Sequence, residues 1–266
     1  MGRSLAPTAH VDAMPVQALL GRSGVSVGFD GPVPAANASV AVRRGEQVVI
    51  EPLSGPPRRT AAGDFLVDHV SGQDGEVVGD AALADRLLRF RALTDAARLV
   101  GAGQALLAYG ADYAREREQF GKIIGTYQGV AHRLSRAAGE LDAAELLVRK
   151  AAFTASVEHG GDGAPPSHFA IMVWTKAIAA ARFVSTNVHQ TFGGNGFAME
   201  YDVQLYSRRL RNWAMRGPRP GAQLADLARM ALHPARREAM TMLWHYETGM
   251  PLPRWAREAD APDGKV

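Results

Sequence analysis

Two short runs bring together residue types suited to a phosphate-bearing ligand. In the first, Arg117-Glu118-Gln119-Phe120-Gly121-Lys122-Ile123-Ile124, a guanidinium and an amide stand beside a glycine. Arginine presents a rigid fork of donors that can meet a phosphate bidentately. In the second, Gln190-Thr191-Phe192-Gly193-Gly194-Asn195-Gly196-Phe197, glycines let backbone N–H groups approach a pyrophosphate where a side chain would block access. A following helix N-terminus favours negative charge there. Taken singly these residues are ordinary: glycine ends many helices, Arg117 and Gln119 just past a helix commonly face solvent, and Phe120 commonly plugs a core. The combination gives them weight: Tyr113-x3-Arg117-x-Gln119-Phe120-Gly121-Lys122-x-Ile124-x3-Gln128, then Gln190-x2-Gly193-Gly194-x-Gly196-Phe197, then Glu200-x5-Tyr206-x-Arg208-Arg209.

The elements that must position these runs are mostly helical. From Asp80, Leu83, Leu87, Phe90, Leu93, Ala97 and Val100 recur at spacings of three and four, predicting a first helix to Tyr113. After the Gly121 to Gly125 break, Val130, Leu134, Leu141 and Val148 mark a second helix ending at His159-Gly160-Gly161-Asp162-Gly163. Ser167 is read as the N-cap of a third, which carries Ile171, Trp174, Ile178 and Ala181 inward and stops at the glycine turn. A shorter helix over Val203 to Trp213 and a long one over Gln223 to Tyr246 complete a bundle. Before residue 80 the chain is rich in Gly, Pro, Val and Ser, with strand signals at Ser39 to Val42, Gln47 to Leu53 and Asp64 to Val70. Arg44-Gly45-Glu46 predicts a hairpin between the first two. The expected organisation is a small, reduced β domain over 1–79, a helical bundle over 80–248, and a loose tail over 249–266.

Composition narrows the chemistry. The 266 residues contain no cysteine, which excludes disulfides, thiolate metal sites and thiol nucleophiles and fits a reducing cytoplasm. No apolar run approaches the roughly 20 residues needed to cross a bilayer, so a soluble, unexported cytoplasmic protein without a membrane role is expected. The sequence pI is about 9.4, yet the formal charge is only +3 and the arginines are scattered, which argues against nucleic acid as a partner. A small polyanionic ligand, or solvated arginine-rich helix faces, accounts for the excess.

The paired runs, in this order and spacing, resemble the C-terminal domain of flavin-dependent acyl-CoA dehydrogenases over residues 80 to 232. The resemblance implies a mainly α fold, a four-helix-bundle domain of acyl-CoA dehydrogenase type preceded by a small reduced β domain. It also implies FAD as cofactor. In that family one subunit holds the isoalloxazine while its partner's C-terminal domain completes the adenine and pyrophosphate end. Carried across, Arg117 would meet the pyrophosphate, Gln119 and Phe120 would line the same end, and Gln128 would contact the adenosine portion. Gln190, Gly193, Gly194 and Gly196 would supply amide and backbone contacts.

The family reaction moves the α proton of an acyl-CoA to a glutamate while hydride leaves the β carbon for flavin N5, giving a trans-2-enoyl thioester. In most members the glutamate belongs to a Tyr-Glu-Gly run shortly beyond an Arg-Asp pair. Here Arg211-Asn212 stands for Arg-Asp, and counting on reaches Arg219-Pro220-Gly221. Proline cannot take a proton and a guanidinium stays protonated. A minority of members place the base on the first helix, but the matching Arg91 to Ala92 offers no carboxylate, and Asp85 and Asp95 lie a turn or more away. The N-terminal residues must also replace more than twice their length, and no tryptophan precedes Trp174 to serve the flavin-ring segment. The chain is thus similar to the non-catalytic subunits of heterotetrameric, steroid-degradation type acyl-CoA dehydrogenases, with no catalytic or metal-binding residue of its own. A larger partner subunit in an α2β2 assembly would carry the glutamate and most of the site for the acyl-CoA substrate. The alternatives are a scaffold or regulatory relative that does not bind flavin, and a self-sufficient homodimer.

Overall fold

The computed structural model describes residues 9–28, 33–35, 39–53, 55–60, 62–69, 72, 74–156 and 163–233. Its architecture is the expected one, mainly α with a small β region first. Helix α1 (Ala9–Leu20) precedes strands β1 (Val25–Val27), β2 (Val33–Pro34), β3 (Ser39–Arg44), β4 (Gln47–Pro52), β5 (Arg58–Arg59), β6 (Phe65–Val67) and β7 (Glu76–Asp80). Helix α2 (Ala81–Glu116), a ribbon of β8 (Glu118–Gln119) and β9 (Lys122–Ile123), then α3 (Gln128–Ala155), α4 (Ser167–Phe192), α5 (Val203–Ala214) and α6 (Pro220–Leu232) follow. Two compact units result, Met1–Pro220 and Gly221–Val266. In the second, α6 leaves Leu224 and Leu232 exposed and pairs Arg229 with Asp226. The rest of the long helix expected to Tyr246, the tail over 249–266, and the residues His159 to Asp162 expected to end α3 lie outside the described residues.

In the β region, the predicted hairpin forms, with Arg44 opposite Gln47 and Gly45 at φ 61° in the two-residue turn. One sheet has the order β1-β3-β4-β7, with β1 parallel to β3, and a second runs β2-β6-β5. The third strand signal contracts to β6, and its end at Val70 is outside the described residues. Helix α1 lies in the segment expected to be a reduced β domain, and it carries Pro15 inside it. Its Val16 is fully buried in a cluster with Val25, Val27, Val48, Leu83 and Leu87, a tertiary contact that outweighs a poor local propensity.

Asp80 caps α2 by accepting the N–H of Leu83 at 3.0 Å, and the helix runs past Tyr113 to Glu116. Of the predicted stripe, Ala97 is exposed and Phe90 only half-buried. The face that packs is Leu83, Leu87, Ala96, Leu99, Val100 and Leu106. Likewise α3 buries Ala137, Leu141, Ala144, Ala151 and Ala155, while Val130, Leu134 and Val148 stay half-exposed. The small side chains set the contact because the backbones lie close. A Cβ on Gly110 would stand 2.8 Å from Val188 Cγ1 of α4, and one on Gly103 would stand 2.7 Å from Leu141 Cδ2. Pairing of 103 with Val184 and of 110 with Val188 shows that α2 and α4 run parallel.

The residues Ile171, Trp174, Ile178 and Ala181 are all buried, as read. Ser167 is not the N-cap of α4. Pro166 occupies that position, its ring presetting the backbone and its carbonyl accepting the N–H of Ala170, and no side-chain cap is made. Helix α4 is long and apolar enough to cross a membrane by composition alone, but 67% of that segment is buried in the protein, as in a core helix.

A buried polar network ties the β region to the bundle. Asp64, from the turn before β6, takes Arg216 Nη2 at 2.6 Å and Trp213 Nε1 at 2.9 Å, and Arg209 donates to the Ala62 carbonyl. Arg98 lies over the Trp213 ring at 4.8 Å and pairs with Asp95, while Arg91 reaches the carbonyls of Val27 and Arg216. The Asp64 and Arg216 side chains are 8% and 9% exposed, so removing one partner strands the other charge away from water. Asp64→Ala is expected to lower unfolding stability by about 3 kcal/mol in urea titration, with Asp64→Leu/Arg216→Met recovering most of the loss.

Candidate functional site

The two sequence runs meet at the end of the bundle where α2 and α4 both finish, and Tyr113 is the joint. Its ring stacks on Phe192, the last residue of α4, with centroids 4.0 Å apart and planes 14° apart. Tyr201 closes edge-on against both rings. The Tyr113 hydroxyl accepts from Asn195 Nδ2 at 2.9 Å, and its carbonyl accepts the N–H of Arg117 at 3.0 Å. One residue therefore holds the glycine turn on one side and the Arg117 ribbon on the other.

The β8–β9 ribbon turns at Phe120 (φ 55°) and Gly121 (φ 77°), with Gln119 opposite Lys122. Two left-handed residues in succession make the tight hairpin turn whose twist matches its strands. Phenylalanine in that conformation costs about 1–2 kcal/mol, and here Phe120 is 92% exposed, so no burial within the protomer offsets the cost. The ribbon is nevertheless fixed. Tyr127 donates its hydroxyl to the Gln119 carbonyl at 3.1 Å, the N–H of Ile124 meets the Arg117 carbonyl at 2.8 Å, and a Cβ on Gly125 would stand 2.8 Å from the Ala114 oxygen.

On the other side, Gly193 ends α4 at φ 58° and donates its N–H to the carbonyls of His189 and Gln190. A single 3-10 turn over Gly193–Phe197 follows. The glycines differ in their causes. Gly193 supplies the left-handed turn, and Gly196 is buried with its Cβ position 3.0 Å from His189 Nδ1. Gly194 has neither reason, since a Cβ there would meet nothing within 4 Å and its φ is not left-handed. What its missing side chain leaves open is the approach from outside the protomer. His189 supports the turn from below, its Nε2 2.6 Å from Ser207 Oγ on α5, and burial followed by the Arg211 charge holds the imidazole below its ordinary pKa.

All eight residues singled out in the sequence thus lie on two adjoining loops and the first turns beside them. Arg117, Gln119, Phe120, Gln128, Gln190, Gly193 and Gly194 are exposed, and the side chains of Arg117, Gln128 and Gln190 make no hydrogen bond or ion pair among the described residues. A fixed cation, free amides and an open glycine backbone form a surface that can bind a pyrophosphate and neighbouring polar groups. Phe197 and Met199, 84% and 73% exposed, add apolar surface after the glycine turn. Sequence reasoning quoted Tyr113 and Asn195 without giving them a task. The spacing of Tyr113 one turn before Arg117 was the signal, but only its contact with Phe192 reveals the joint. His189, Ser207, Tyr127 and Tyr201 were missed, because each acts through a neighbour distant in sequence.

Neither place from which the resemblance draws a base presents an open carboxylate among the described residues. No Asp or Glu occurs between Asp202 and Asp226. Within that span, Arg216 is committed to Asp64, Pro218 accepts from Trp174 Nε1 at 2.9 Å, and Gly217 packs so tightly on the Trp174 indole that a Cβ would overlap it. On α2, Asp95 is buried with its oxygens on Arg98 at 2.6 Å and Arg91 at 3.4 Å, and exposed Asp85 pairs with Arg89. Neither offers a carboxylate at an open site. Among the described residues no group of three His, Asp or Glu side chains could hold a metal ion.

Residues 81–217 match the family described as acyl-CoA dehydrogenase, C-terminal domain. The acyl-CoA dehydrogenase FadE12 of Mycobacterium tuberculosis is 32% identical over 177 residues, covering 66% of this chain and 40% of that protein. Among solved structures, a variant of the Tcur3481-Tcur3483 steroid ACAD superposes with a TM-score of 0.65 at 22% identity, covering 77% of this chain and 61% of that one. The ChsE4-ChsE5 complex from Mycobacterium tuberculosis gives 0.66 at 18% identity, with 79% and 67% covered. The chain spans 38% and 40% of the length of the first two curated relatives it matches. With the matched segment covering the bundle and both loops, the chain belongs to the acyl-CoA dehydrogenase family through that family's C-terminal domain.

Proposed function

We propose that this chain is a subunit of a heteromeric, FAD-dependent acyl-CoA dehydrogenase, contributing the adenine and pyrophosphate half of the flavin site to a partner that carries the catalytic glutamate. One observation carries the reading: a surface suited to a nucleotide, with no carboxylate in the segment where the family's base would stand. Arg117 and the Gly193–Gly194 backbone face outward at one end of the bundle, while no acidic residue occurs from 203 to 225. The residues fit the cofactor's anionic middle. A pyrophosphate calls for a fixed cation and close backbone donors, and Gly194 leaves that approach open.

In this arrangement FAD supplies the hydride acceptor for desaturation of the acyl chain. Arg117 binds the pyrophosphate, Gln119 and Phe120 line the same end, Gln128 meets the adenosine portion, and Gln190 with Gly193, Gly194 and Gly196 shapes the loop contact. The Tyr113 joint keeps both loops in register with each other. Two of the structural relatives carry paired names, the steroid ACAD and the ChsE4-ChsE5 complex, which supports a two-chain assembly of α2β2 type and a steroid side-chain CoA ester as substrate. On this reading the chain alone is inactive.

Arg117→Ala is expected to strip flavin from the purified complex, read as loss of absorbance near 450 nm, while its mass in solution stays unchanged, since the exposed Arg117 side chain makes no hydrogen bond or ion pair among the described residues. Flavin retained at full occupancy would favour a scaffold that never touches the cofactor, and dehydrogenase activity from this chain purified by itself would favour a homodimer. Gly194→Ala and Gly196→Ala should separate approach from support. The first is expected to leave thermal stability within about 0.5 kcal/mol yet weaken flavin retention, while the second, pressed on His189, should cost about 1–3 kcal/mol.

A further inference from the structure

His189 does more at this site than fill space. Its carbonyl receives the N–H of Gly193, its ring is the nearest neighbour of Gly196, and Phe197 tilts against it at 6.1 Å. The glycine turn therefore rests on this imidazole. The ring is itself fixed from α5, where Ser207, buried at 5% exposure, sits 2.6 Å from Nε2 and donates its own proton to the Gln204 carbonyl at 3.2 Å. A hydroxyl has one proton, so both bonds form together only when Nε2–H donates to Ser207 Oγ and Ser207 O–H donates to Gln204. In the arrangement that satisfies both bonds Nδ1 carries the lone pair, and Nδ1 lies 3.0 Å from the Cβ position of Gly196.

Adding a proton to Nδ1 places an N–H and a charge where the glycine backbone is closest. The surroundings do not welcome it. From α5 the facing groups are Ser207 and the Arg211 guanidinium, whose positive charge opposes a second one on the ring. The 3-10 turn contributes Gly196, Asn195 and Phe197, none of them charged. From α2 the neighbouring groups are the Tyr109 and Tyr113 phenols, which lie on Phe192. Helix α3 places Arg136 over Phe183, nearly two turns earlier on α4. Asp202, at the start of α5, acts on the Tyr109 phenol, and among the described residues no carboxylate pairs with the His189 ring.

We propose that His189 is the positioning residue of the glycine turn, working as a neutral imidazole clamped by Ser207, so that its protonation loosens the nucleotide-binding end. The proposal rests on the flavin half-site reading. Burial and Arg211 hold the folded-state pKa below its ordinary value of about 6.5, so the native turn excludes a proton that the loosened form accepts. The support is complete above about pH 6.5 and is lost as pH falls through the folded value.

Two measurements test it. In the full-length chain labelled with 15N-glycine, the amides of Gly193, Gly194 and Gly196 are expected to titrate together with the His189 ring protons, and to become pH-independent in His189→Gln, whose amide can still donate to Ser207. In the complex isolated through a tag on this chain, flavin affinity is expected to weaken between about pH 7.5 and about pH 5.5, by up to about tenfold for protonation of one group. His189→Gln should flatten that dependence to within about twofold, and Ser207→Ala, which frees the tautomer, should weaken affinity even at the upper pH. Parallel profiles for wild type and His189→Gln, or glycine amides that ignore the His189 titration, would overturn the positioning role. If Arg117→Ala also leaves flavin affinity unchanged at every pH, the half-site reading itself falls. If Arg117→Ala weakens binding while the histidine variant tracks wild type, only the switch does.

Discussion

The face-to-face contact of Tyr113 with Phe192 is the constraint on which the rest of this site depends. It is available because α2 and α4 run parallel at glycine-and-alanine distance, so that their last turns arrive side by side. Helices separated by larger side chains would hold those ends too far apart for the two rings to stack. With the ends adjacent, the Tyr113 hydroxyl can hold Asn195 and its carbonyl can hold Arg117, and two loops far apart in sequence share one anchor. Hydrogen bonds to a fixed aromatic joint position a loop more sharply than any propensity of the loop itself.

The same chain spends its buried charges elsewhere. Asp64, Asp95, Arg91, Arg98 and Arg216 form a partly buried network that fastens the β region to the bundle, with Trp213 between its two halves. Carboxylates held this way have their oxygens occupied by guanidinium and indole donors. They hold structure and offer no base to an incoming thioester. A segment that in an enzyme could present a base is here pinned by Trp174 at Gly217 and Pro218. The result is a protomer with an outward-facing surface of Arg117, free amides and glycine backbone, and an inward-facing ion network. Such a division of labour suits a subunit whose chemistry is completed by another chain.

Exposed apolar groups follow the same logic. Phe120 accepts a strained backbone conformation while open to water, and Phe197 and Met199 are likewise uncovered. Strain and exposure of this kind persist where a second surface completes the environment. They occur on the loops that Tyr113 joins, not scattered over the bundle's outer face alone.

Periodicity was enough to read the helices, because an apolar stripe every three to four residues has one structural meaning over twenty residues or more. The inward positions of α4 were legible for that reason. Those of α2 and α3 were partly misread: the sequence favours large side chains as core, whereas close backbones select Ala96, Ala137, Ala144 and Gly110. Helix α1 went unread because Val16 packs against residues distant in the chain, which no local pattern announces. The chemistry-bearing types, Arg117 and the glycines, and the missing acid between Asp202 and Asp226 are properties of the sequence alone, because residue identity fixes which groups can donate, accept or ionise. Which glycine is needed for a turn, which for a neighbour and which has neither reason was decided only in three dimensions, as were the packing roles of Tyr113, His189 and Ser207. Those roles depend on distances between helices, and only their packing sets them.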